Sequence, residues 1–149
     1  MWKVLSGTIA TILLLAGTTG SVAAAPAPDI TGTWVLNLTI DGAPPCQCIE
    51  ITTFRQDGRL EGPANDHFTG DARGVWAKAS PAHVQFRVVQ NNINPDGSAG
   101  GLYDIACRFT FDGADAGHGT CDGSLVDNVG TTLGTFTSTF TGKRVRISP

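Results

Sequence analysis

The chain has 149 residues, a formal net charge of −3 from 10 Lys and Arg against 13 Asp and Glu, and a hydrophobic fraction of 41%. Its densest basic stretch is Lys143-Arg144-Val145-Arg146. Nucleic acid needs positive charge spread along a groove, so the charge pattern argues against that class of partner.

Residues 1–24 read as a secretory signal peptide. Lys3 supplies a positive start, and Val4 to Ala16 is mostly apolar. Small residues follow, ending in Ser21-Val22-Ala23-Ala24-Ala25-Pro26. This is the charged, apolar and small-residue order of an export signal. Cleavage is expected after Ala24, because cutting after Ala25 would put Pro26 in the next position. The apolar run is shorter than the about 20 residues that a membrane span needs. No cysteine follows the small residues to carry a lipid. The protein is therefore expected to be secreted or periplasmic, with no membrane association after cleavage. Residues 25–149 form one expected domain of about 120 residues, large enough for a core of its own.

Four cysteines, Cys46, Cys48, Cys107 and Cys121, lie in the exported part. An even number in an oxidising setting reads as two disulfides. A Cys46–Cys48 bridge would close a very small ring in near-extended backbone, so each of the two is expected to join Cys107 or Cys121. The rival pairing is Cys107–Cys121 across one hairpin, with the other two bridged locally or free. The paired C-x-x-C knuckles usual for zinc are absent, and no metal is expected.

The first element runs from about Thr31 to Ile40. Trp34, Leu36, Leu38 and Ile40 share one face, and Thr33, Val35, Asn37 and Thr39 the other. A period of two marks a half-buried strand. Asp41-Gly42-Ala43-Pro44-Pro45 breaks it. Cys48 to Phe54 alternates through Ile49 and Ile51, then changes phase at Phe54, which suggests a bulge. Asp57-Gly58 is a hairpin signal, and Arg59-Leu60-Glu61 begins the return. Gly62 to Arg73 reads as a loop at one mouth.

Gly74 to Lys78 is the next strand, turning at Ser80-Pro81. From His83 to Gln90, Val84, Phe86 and Val88 share a face. Asn91 to Gly101 reads as a long loop. Tyr103, Ile105, Cys107, Phe109 and Phe111 then alternate with polar residues. His118 to Val126 is a weaker strand. The last run begins at Thr135, and Phe136, Phe140 and Arg144 share parity. About eight strands on short turns predict an all-β fold, an antiparallel up-and-down barrel, which also removes exposed edges.

Gly32-Thr33-Trp34 at the head of the first strand, the strand count and a basic residue on the last strand resemble the calycin superfamily of lipocalins, fatty-acid-binding proteins and avidins. The resemblance implies that Trp34 packs across one end of the barrel under Arg144, as a structural plug, with Arg146 or Lys143 as substitutes. It further implies an interior cavity. Lipocalins carry a helix after the barrel and a Thr-Asp-Tyr motif, neither of which is seen here, and no biotin-site pattern is visible.

The candidate ligand wall comprises Trp76, Phe86, Tyr103, Phe109 and Phe136. Small barrels hold one small ligand, and such pockets are largely apolar. The leading expectation is thus an exported protein that binds a small apolar molecule inside its barrel. One alternative is a protein partner, as for a protease inhibitor acting through an arm at Ala25 to Ile30. Another is a small barrel cyclase or isomerase.

No catalytic set can be assembled: His67, His83 and His118 are scattered, and no Gly-x-Ser-x-Gly elbow is present. No cofactor is expected. Asp112, Asp115, Asp122 and Asp127 sit among glycines without the spacing of a calcium loop. Asn37-Leu38-Thr39 is a glycosylation sequon.

Overall fold

The computed structural model describes residues 28–44, 48–64 and 69–146. The expected signal peptide, Cys46 and His67 lie outside the described residues. The alternating runs become eight strands: β1 (Gly32–Ile40), β2 (Cys48–Phe54), β3 (Arg59–Gly62), β4 (Thr69–Ser80), β5 (His83–Ile93), β6 (Ala99–Phe111), β7 (Ala116–Val126) and β8 (Thr132–Arg144). Each strand pairs with the next, and β8 pairs with β1 to close the barrel. Every pairing is antiparallel.

The pairings climb as they go round. From Gly32 the opposed residues are Phe54, Leu60, Gly74, Val88, Ile105, Gly123 and Phe136. Extending the β8–β1 register past Ser138–Ile40 sets Phe136 opposite Gly42, a stagger of ten residues from Gly32. Such a stagger goes with strands tilted by about 40° and an interior just wide enough for side chains or one small ligand.

Inward positions carry the core. Ile30, Trp34, Leu36, Phe54, Leu60, Val84, Phe86, Cys107, Phe109, Cys121 and Phe140 form one buried cluster. Strand β7 contributes little bulk to it. Its inward row is Gly117, Gly119, Cys121, Gly123 and Leu125, and the glycines are seats for rings from neighbouring strands. A Cβ on Gly117 would strike the Phe109 ring, one on Gly119 the Phe140 ring, and one on Gly123 the Phe136 ring. That exchange of ring for side chain explains why β7 reads as a weak strand on hydrophobic pattern alone.

Tight turns join the strands at one end. Asp57-Gly58 closes β2 to β3, with Gly58 at φ 82 and its N–H donating to the Arg55 carbonyl at 3.1 Å. A residue with a Cβ would be strained at that φ.

Four expectations are corrected. The disulfide is Cys107–Cys121, between directly opposed residues of β6 and β7, so neither cysteine is left to join Cys46 or Cys48. The two sulfurs face inward from neighbouring strands, which a sequence cannot show before the register is known. Cys48 is also disulfide-bonded. No bulge interrupts β2 against β1, whose register is continuous from Gly32–Phe54 to Leu38–Cys48. Glu50, Thr52 and Phe54 face inward instead, while Ile49 and Ile51 face out and are 48% and 40% exposed. The expected loops at 62–73 and 91–101 are shorter, because β4 starts at Thr69, β5 runs to Ile93 and β6 starts at Ala99. Polar residues hid those strand ends, since near a mouth neither face needs to be apolar.

Candidate functional site

The up-and-down order places the β2–β3, β4–β5 and β6–β7 turns at one end, with the entering chain. The β1–β2, β3–β4, β5–β6 and β7–β8 connections lie at the other.

At the first end, Trp34 lies opposite Arg144 across the β1–β8 seam. The Arg144 guanidinium sits 4.7 Å from the indole centroid, within cation–π range. The indole N–H donates to the Ile30 carbonyl at 2.7 Å. Arg144 also donates to the carbonyls of Asp29 and Thr31, and its Nε lies 3.2 Å from the Asp115 carboxylate. Residues 28–31 are thereby strapped over the barrel end, with Ile30 only 1% exposed and Lys78 Nζ donating to the Pro28 carbonyl at 3.4 Å. The described part of the expected arm, from Pro28 to Ile30, is bound into this end.

Two carboxylates there are held below the usual range. The Thr31 hydroxyl donates to Asp29 and lowers its pKa, against some desolvation. Asp115 is lowered first by hydrogen bonds from Arg146 and then by the charges of Arg146 and Arg144.

Above this strap the rings form a continuous network. Trp34 meets Phe109 edge-on at 5.0 Å, and Phe109 stacks on Phe140 at 6.0 Å. Phe140 reaches Phe86 at 6.1 Å, Phe86 meets Phe54 at 5.3 Å, and Phe54 meets Trp76 at 6.3 Å. The Trp76 indole donates to the Arg55 carbonyl at 2.8 Å. Three of the five expected wall residues, Trp76, Phe86 and Phe109, thus belong to this packed end.

The other two come together at the opposite mouth. Tyr103 and Phe136 meet edge-on with centroids 6.1 Å apart. Around them the inward positions are Leu38, Ile40, Glu50, Val88, Ile105 and Leu125, all only half-buried. Of these inward-facing side chains, Leu38, Val88 and Ile105 pack against the buried cluster yet keep partial solvent access.

Among the described residues, three buried polar side chains also face the interior. Gln90 is 5% exposed and donates to the Gly70 carbonyl at 2.9 Å. Thr52 is 6% and Ser138 2% exposed. The Ser138 hydroxyl has no hydrogen-bond partner among the described residues. Glu50 is the one carboxylate whose strand position faces the interior among the described residues, through its pairing with Leu36.

Sequence reasoning passed over Ser138, Gln90 and Glu50. A signal existed for Ser138, which breaks the apolar parity between Phe136 and Phe140. None existed for Glu50, because Ile49 and Ile51 suggest the opposite face for β2.

The remaining candidates stay apart. His118 pairs with Asp112 at 2.9 Å, and His83 Nδ1 lies 3.1 Å from the Thr110 hydroxyl, both on the outer wall. Asp127 accepts from the backbone of Val129 and Thr131 within its turn. No group of three metal-ligating side chains occurs among the described residues, and no helix there is long and apolar enough to cross a membrane. No protein-family model and no curated protein matches the chain.

Proposed function

We propose that the protein is exported and binds a small, largely apolar molecule in the open end of its barrel, as a calycin-like carrier or sequestering protein. One observation carries this reading. Leu38, Val88, Ile105, Tyr103 and Phe136 face the interior and remain half-exposed, whereas Ile30, Trp34, Phe54 and Phe109 towards the opposite end are fully buried. Exposing inward apolar surface costs about 25 cal/mol per Å², and a ligand that covers it recovers that energy. Trp34 and Arg144 act in this reading as the plug that makes the barrel a cup rather than a channel. The single-file topology, the eight strands and the seam pairing of a Trp with an Arg support the calycin likeness. The buried Cys107–Cys121 disulfide fits an oxidising compartment.

The test is a titration of the purified protein with N-phenyl-1-naphthylamine, a neutral fluorescent probe. Saturable binding at one site per barrel is the expected result. Ile105→Trp and Leu38→Trp, which put bulk into the cup from two walls, should weaken it at least about tenfold, the effect of losing a well-filled apolar subsite. Folding is checked by thermal melting. A folded wild-type protein that binds no probe overturns the reading, as does a folded pair of variants that bind it unchanged.

A further inference from the structure

We infer that the ligand of this barrel carries one uncharged hydrogen-bonding group, an alcohol or a carbonyl, on an otherwise apolar body, and that this group meets the hydroxyl of Ser138. The inference rests on the open end being the binding site.

Ser138 faces inward from the middle of β8, with Ile40 opposite on β1 and Cys121 opposite on β7. Its own strand places Phe136 and Phe140 on the same face. It is 2% exposed, and its hydroxyl has no hydrogen-bond partner among the described residues. A buried hydroxyl left unpaired costs stability, and an alanine there would avoid the cost. Gln90, the other deeply buried polar side chain of this end with a long reach, is satisfied by Gly70. Ser138 therefore differs from its surroundings by holding an unused donor and acceptor beside the cup.

The surroundings also limit the chemistry of the group it meets. Ile40, Phe136, Phe140 and the Cys107–Cys121 disulfide offer a charged head no partner, and a charge desolvated there would be disfavoured. Glu50 faces the interior from β2, opposite Leu36 rather than beside Ser138. A hydroxyl can donate to a ligand carbonyl or exchange bonds with a ligand alcohol.

The experiment compares matched pairs as competitors of N-phenyl-1-naphthylamine: 2-naphthol with naphthalene, and 1-octanol and 2-octanone with octane. In the wild-type protein the oxygenated member of at least one pair should bind about tenfold more tightly, the discrimination of one buried hydrogen bond. Ser138→Ala should erase that preference and leave the hydrocarbon's affinity unchanged. The same variant without ligand should melt at the same temperature or higher. A preference that survives Ser138→Ala overturns the inference, as does its absence in the wild type. A drop in melting temperature for Ser138→Ala overturns it as well, because the hydroxyl would then be bonded in the free protein. Failure of the underlying site is read separately, from a wild-type protein that does not bind the fluorescent probe at all.

Discussion

Trp34 and Phe109 at the closed end are 0% exposed, while Tyr103 and Phe136 at the mouth keep solvent access although they face the same interior. Phe109 and Tyr103 even share one strand, β6, and one face of its alternation. The difference comes from the chain outside the strands. At the closed end residues 28–31 cross the opening, pinned by Trp34 and Arg144, and the turns there are short. At the mouth the described parts of the connections make their bonds largely among themselves, as when Asn94 and Ser98 close the β5–β6 turn. Inward glycines on β7 and β8, Gly123 and Gly134, add no bulk of their own. Alternation thus makes a barrel wall, and whether an end is shut depends on what lies across it.

The largest expected effect separates the two ends directly. Trp34→Ala should cost about 3–5 kcal/mol as a large truncation in a packed site. Tyr103→Ala should cost about 1 kcal/mol, as for an ordinary half-exposed position. Urea melts of the two variants read the difference, and equal losses would erase the distinction between plug and mouth. Next comes the disulfide, which ties β6 to β7 between Phe109 at the closed end and Ile105 nearer the mouth. Replacing Cys107 and Cys121 by alanine releases a cross-link of sequence separation 14, worth about 3 kcal/mol, and should loosen the whole barrel in hydrogen exchange rather than one end.

A smaller effect probes the ring seats. Gly119→Ala sets a Cβ against the Phe140 ring and the Arg108 carbonyl, an overpacking of about 1–3 kcal/mol. At Gly134, where a Cβ meets nothing, the same change should alter stability by less than about 0.5 kcal/mol.

The smallest concerns pH. Asp29 has its folded pKa lowered below the ordinary 3.8 by the Thr31 hydroxyl. Its contribution is therefore complete above that ordinary value and is lost as pH falls through the folded value, where the unfolded chain has already taken up its proton. Asp29→Asn should flatten the acid limb of a stability–pH curve below about pH 4, without changing the neutral plateau's shape. An unaltered acid limb would show that the strap over the closed end does not depend on this carboxylate.

Much of the wall was legible in the sequence. Trp34 to Ile40, Val84 to Val88 and Tyr103 to Phe111 alternate cleanly because one face is apolar throughout. The parity of Phe136, Phe140 and Arg144 is that of the inward face of β8. Legibility failed where the inward face is polar or lacks a side chain. Glu50 and Thr52 face in while Ile49 and Ile51 face out, so hydrophobicity alone assigns β2 the wrong side. The β7 glycines carry no hydrophobic signal because their share of the core is supplied by Phe109, Phe140 and Phe136. The five expected wall residues share the interior, yet alternation says nothing of height along the barrel axis, and that height divides them into three packed and two at the mouth.

By itself, then, the sequence determined the fold class, the strand count and most of the inward face, because local alternation and turn chemistry are properties of neighbouring residues. The tertiary structure decided the disulfide partner, the face of β2, the sealing of one end and the solitary hydroxyl of Ser138. Each of these depends on register and stagger between strands, which bring together residues as distant as Thr31 and Arg144, and no stretch of chain read alone contains that distance.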